Sequence, residues 1–224
     1  MKIKLALLIG LFLLAAGSQA EQIRWEVKAG ITKLSSDMVG YANIGDVITL
    51  RYTFESSTPN SSVIMEQGRY DDAVTGYEIF LNSTYARLEN VGYISVLNDY
   101  FGRDEYSTST THLTAIGETM PSSNGFIFRG YSLFYADFHA SMFSGTDLAI
   151  DPIIAGYDRF RFNLSFTKPI APNTFLGESI VAEDLISISR ISPVPVPEPG
   201  SFWLLATGLL CLFGIAGQRN RVIR

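Results

Sequence analysis

The chain is poor in the side chains that carry most protein chemistry. Its one cysteine, Cys211, lies in an apolar run near the C-terminus. Residues 21–191 therefore have neither a disulfide nor a thiol nucleophile, and a packed core must supply their stability. Histidine is almost as scarce. His112 and His139 are the only two, too few for a three-histidine metal site. No Gly-x-Ser-x-Gly nucleophile elbow is present. Basic residues are also few: of 17 Lys and Arg, 12 fall within 21–198, against all 22 Asp and Glu, which leaves −10 there. Such a domain repels phosphate backbones, which excludes nucleic acid as a partner. Nor does any part of 21–191 sustain a helical period.

Alternation with a period of two is plentiful instead. In Gln22–Lys28, Ile23, Trp25 and Val27 share one face; in Val47–Glu55, Ile48, Leu50, Tyr52 and Phe54 do. In Asp158–Phe166 the shared face is Phe160, Phe162, Leu164 and Phe166, and in Phe126–His139 it is Phe126, Phe128, Phe134 and Phe138. Each run reads as a strand with one buried side. Shorter candidates are Gly76–Asn82, Val91–Leu97 and Ile186–Ile191. Turn signals separate them at Asn43–Asp46, Thr58–Asn60, Ser122–Gly125 and Ala171–Asn173. Many strands without intervening helices predict an all-β domain over 21–191, an antiparallel β-sandwich of jelly-roll or immunoglobulin-like type.

The two ends are different in kind. Residues 1–20 read as a signal peptide: Lys2 and Lys4, an apolar Leu5–Ala16, then Ser18-Gln19-Ala20. Small residues at that exit place signal-peptidase cleavage between Ala20 and Glu21. At the other end, residues 192–200 contain Pro193, Pro195, Pro197 and Pro199, a stiff extended linker. Residues 201–217 carry no charge and, as a helix, would measure about 25 Å, enough to cross a hydrocarbon core. Arg219, Arg221 and Arg224 in the 218–224 tail would stay on the cytoplasmic side. The expectation is a single C-terminal transmembrane helix anchoring an exported domain.

Pro197-Glu198-Pro199, an apolar stretch and terminal arginines in that order resemble the PEP-CTERM protein-sorting signal. The resemblance implies that exosortase, a membrane protease-transpeptidase of Gram-negative bacteria, recognises Pro197, Glu198 and Pro199. It implies cleavage there and delivery to the cell surface or an exopolysaccharide matrix. Gly45-Asp46-Val47-Ile48-Thr49 and Ile94-Ser95-Val96-Leu97-Asn98-Asp99 also resemble patterns in β-rich proteins carrying that tail, a group without an established catalytic activity.

For the domain itself three readings follow. The first is a non-enzymatic surface or matrix protein without a cofactor. The second is a carbohydrate-binding module: opposite the phenylalanines of 126–139 lie Arg129, Tyr131, Tyr135, Asp137 and His139. Tyrosines on an open face stack on sugar rings, and the polar groups take hydroxyls. The third is a weak glycoside hydrolase using Asp71-Asp72, Asp104-Glu105 or Glu183-Asp184. Neighbours on a strand point to opposite faces, which counts against each pair. Asn98, Asp99, Asp104 and Glu105 bracket Gly102 and are the candidates for a loop-clamping Ca²⁺, although their spacing is not that of an EF-hand.

Overall fold

The computed structural model describes residues 21–82, 84–110, 125–148, 156–172 and 174–191. The expected signal peptide, linker, apolar run and basic tail lie outside these residues, as does His112. Among the described residues no helix is long and apolar enough to cross a membrane.

The domain is all-β and antiparallel, as the alternation predicts, but it is not a sandwich. Eight strands form one closed barrel in which every strand pairs with its neighbours in the chain. They are β1 (Gln22–Leu34), β2 (Val47–Glu55), β3 (Gln67–Leu81), β4 (Thr84–Leu97), β5 (Asp104–Thr110), β6 (Ile127–Asp137), β7 (Arg159–Ala171) and β8 (Thr174–Ile191). A one-turn 3₁₀ helix, Ser36–Met38, sits between β1 and β2. Alternation specifies one buried face per strand, a condition that a sandwich and a barrel both meet. Closure is decided by β1, which pairs with β2 (Ile23 opposite Phe54) and with β8 (Val27 opposite Ile188). Register shifts at Lys28/Ala29, Gly30/Ile31 and Ile31/Lys33 coil β1 along β8. Bulges of this kind add the twist that bends a sheet round on itself.

Eight strands leave an interior just wide enough for side chains to fill or for one small ligand. Here aromatic rings meet across it. Trp25 of β1 stacks on Tyr106 of β5, on the far side of the barrel, with centroids 5.6 Å apart. Tyr77 of β3 meets Tyr131 of β6 edge-on at 4.9 Å. The Tyr52 and Tyr106 hydroxyls lie 3.2 Å apart. Contacts of this geometry add about 0.5–1.5 kcal/mol each beyond burial. At the rim carrying the β1–β2 loop, Met38 and Ala42 are buried against this core. At the other rim the β6–β7 loop lays Met142, Phe143 and Leu148 over it.

Candidate functional site

The aromatic strand β6 carries the expected sugar-binding residues, and its geometry overturns their assignment to an open face. Phe126 and Phe128 point inward as the alternation predicts. At Gly130 the β6–β7 register then shifts. Gly130 has φ +149°, and a Cβ there would overlap Thr110 Oγ1. Only glycine fits both constraints. The extra residue swaps the faces: beyond it Tyr131, Leu133, Tyr135 and Asp137 point inward, and Phe134 and Phe138 point out. Tyr131 and Tyr135 are 2% and 1% exposed, so no sugar ring can stack on them. Arg129 remains outside, bonding Thr167 Oγ1 at 2.5 Å. Burial raises the phenol pKa of Tyr131 and Tyr135 above the ordinary value.

At the loop-covered rim two buried carboxylates face each other across strands, Asp104 of β5 opposite Asp137 of β6. Both accept hydrogen bonds from loops. Asp104 Oδ1 accepts the Asp99 N–H at 2.9 Å and Oδ2 the Phe143 N–H at 2.7 Å. Asp137 accepts the His139 N–H on Oδ1 and both the N–H and hydroxyl of Ser141 on Oδ2, each at 2.8 Å. The His139 N–H, then the Ser141 hydroxyl and N–H, hold Asp137 well below the usual carboxylate range. Each acid clasps a loop. A Tyr70 hydroxyl bond to Thr146 O at 2.7 Å makes a third clasp.

Of the proposed calcium residues, Asn98 has a buried Oδ1 without a hydrogen-bond partner among the described residues, but the ligand atoms of Asp99, Asp104 and Glu105 do not converge into a cage. Asp104 is spent on the two amides, Asp99 contributes its backbone N–H, and Glu105 points outward to Arg103 Nη2 at 3.4 Å. Burial raises the Glu105 pKa, with Arg103 opposing it. Another set of ligand atoms does converge among the described residues: those of Asp137, His139 and Asp158 lie within 4.8 Å of one another. His139 Nδ1 is 3.4 Å from Asp137 Oδ1 and 3.2 Å from Asp158 Oδ2. Two carboxylates and an imidazole could hold a divalent cation. Here, however, the His139 side chain is 79% exposed, and Asp158 Oδ2 already accepts the Phe138 N–H at 2.7 Å. The paired acids fare no better as catalytic couples: Asp71 and Asp72 are both exposed, and Glu183 bonds Lys33 at 2.8 Å.

A concave site lies elsewhere, on the outer wall of β1–β4. Register aligns Glu26, Arg51, Glu78 and Arg87 in a row of alternating charge across the four strands. The adjacent row is Arg24, Thr53 and Gly76. Gly76 has no side chain and Thr53 a short one, so the second row forms the floor of a groove of about 360 Å³ walled by Arg24, Arg51, Glu78, Arg87 and Glu55. Arg24 reaches across the floor to pair with Glu78. Arg51 Nε bonds Glu26 Oε2 at 2.7 Å. Burial pushes the Glu26 pKa up, but Arg51 and Lys28 outweigh it and hold it low. In the row beyond, Phe80 and Tyr85 pair at 5.0 Å, with the Arg51 guanidinium 4.9 Å from the Phe80 ring. From sequence alone these are merely the polar sides of strands. Only the register brings them together.

Outside the barrel the chain carries the PEP-CTERM protein-sorting motif, matched over residues 195–220. It is thus a PEP-CTERM sorting domain-containing protein. The motif marks an exported protein processed by exosortase and bound for the cell envelope or surface. Pro197, Glu198, Pro199 and Arg219 fall inside the matched residues; Arg221 and Arg224 fall beyond them. No curated protein and no solved structure matches the chain.

Proposed function

We propose that the protein is a non-catalytic component of the cell surface or exopolysaccharide matrix. Signal peptidase removes residues 1–20, and residues 201–217 hold the barrel at the membrane until exosortase cuts near Pro197–Pro199. The observation that carries this reading is the sorting motif at residues 195–220. Its physical counterpart is the sequence that follows the barrel: a proline-rich spacer, an uncharged stretch and arginines. Such a stretch is stable in hydrocarbon, and the cationic end resists crossing it. A structural role is supported by the acids at the rim. Asp104, a member of one of the acidic pairs, and Asp137 both accept hydrogen bonds that hold loops.

The test is mass spectrometry of the mature C-terminus in cells with and without exosortase. The expected product with the enzyme ends close to Pro197–Pro199, and without it the tail persists to Arg224. An intact tail in both would make this a plain membrane protein.

A further inference from the structure

We infer that the outer groove across β1–β4 is a binding site for a neutral oligosaccharide. The inference is independent of how the chain is sorted. Four adjacent strands span about 14 Å, so the groove has the length of a short sugar chain rather than of a single ion. Its volume, about 360 Å³, lies at the lower end of the range for small-molecule sites. The chemistry of the walls is mixed. A guanidinium has five N–H donors and a carboxylate about four lone-pair sites. Arg24 and Arg51 use some of theirs on Glu78 and Glu26, and Thr53 and Gln22 add groups that both donate and accept. A ligand whose hydroxyls donate and accept at close intervals matches such a lining.

Charge decides between sugar classes. Glu26 and Glu78 already face Arg24 and Arg51, so the cations are neutralised in place and an anionic ligand on their remaining donors would sit against those carboxylates. It would also approach a domain of charge −10 over residues 21–198. A neutral polyol meets neither obstacle. Across the Arg51–Glu78 row from the groove floor, outside the groove's own lining, Phe80 and Tyr85 form a half-buried aromatic step. In a chain of several units, one sugar can rest its apolar face on that step while the next turns its hydroxyls into the polar trough. The binding surface is therefore on the opposite side of the wall from the tyrosines of β6.

The experiment titrates the full-length protein, in detergent, with cellotetraose and maltotetraose as neutral probes and with trigalacturonate as an anionic one. Isothermal calorimetry reads affinity, and NMR shifts locate the site on the parent protein without any variant. We expect saturable binding of a neutral probe, unchanged between low and high salt, with shifts confined to groove residues of β1–β4. Arg51→Ala and Phe80→Ala should each weaken it about tenfold with the melting temperature retained. Thr53→Tyr, which fills the floor, should abolish it. No saturable binding of any probe would overturn the proposal, as would shifts on another part of the barrel. Binding of trigalacturonate alone, lost at high salt, would overturn it in favour of an anion site.

Discussion

Replacing Tyr52 and Tyr106 by phenylalanine, singly and together, tests whether the barrel is filled by a dry, interlocked core. Their hydroxyls meet at 3.2 Å, and both rings are fully buried. Removing one hydroxyl orphans the other, and an unpaired buried polar group costs about 1–3 kcal/mol. Removing both leaves no orphan, so the double variant should lie within about 1 kcal/mol of the parent. Each single variant should then be less stable than the double, a coupling of about 1–2 kcal/mol. Tyr135 provides the control. Its hydroxyl has no hydrogen-bond partner among the described residues, so Tyr135→Phe should be neutral or stabilising. Tyr135→Ala removes a ring packed against Tyr106, Tyr157 and Phe160 and should cost about 3–5 kcal/mol. Guanidinium unfolding followed by near-ultraviolet circular dichroism measures the five variants against the parent. Additive losses, with the double variant the least stable, would refute the reasoning, because the two hydroxyls would then be bonding to something other than each other.

The remaining predictions concern the bulge, the loop clasp and alkaline pH. Gly130→Ala should cost on the order of 2–4 kcal/mol, from its φ of +149° and the overlap with Thr110; parent-like denaturation would mean that β6 does not change faces there. Asp137→Asn should speed amide exchange at His139 and Ser141, whose N–H groups it holds, while the strands stay protected. The carboxyl of Asp137 is depressed in the folded state, so its contribution is present above the unfolded value of about 3.9 and is lost as pH falls; undiminished loop protection in acid would contradict the clasp. Burial raises the phenols of Tyr52, Tyr77, Tyr106, Tyr131 and Tyr135. The unfolded chain ionises near pH 10 while the folded one keeps these protons. Stability should therefore be full below about pH 10 and fall as pH rises beyond it. Tyrosinate absorbance should then appear together with unfolding, and free titration of these five in the folded barrel would rule out their burial.

Much of the fold was legible because β1, β2 and β7 obey strict alternation, and their inward faces are the ones the sequence predicts. β5 was not. Its inward residues are Asp104, Tyr106 and Thr108, so Asp104-Glu105-Tyr106-Ser107-Thr108 shows almost no apolar period although it lies in the middle of the sheet. Barrel closure was hidden as well, because it depends on pairing β1 with β8 across the whole length of the domain. The expected sugar face failed at one residue: counting by twos through Gly130 puts every later side chain on the wrong side. Asp158 escaped notice because the β6–β7 loop, not sequence spacing, brings it to His139. The groove is a product of register. Arg24, Arg51 and Glu78 look like ordinary solvated positions until two strand pairings set them side by side.

Because β1 bonds to both β2 and β8, its stretch Arg24–Gly30 presents no unpaired row of backbone donors and acceptors. Edge-to-edge strand addition, the usual route by which concentrated β-proteins join into fibres, is thereby closed along this seam. If copies accumulate densely outside the cell, the first and last strands stay paired with each other and are not the place where copies join. The infrared amide signature of the barrel should then be the same in the assembled material as in the isolated molecule.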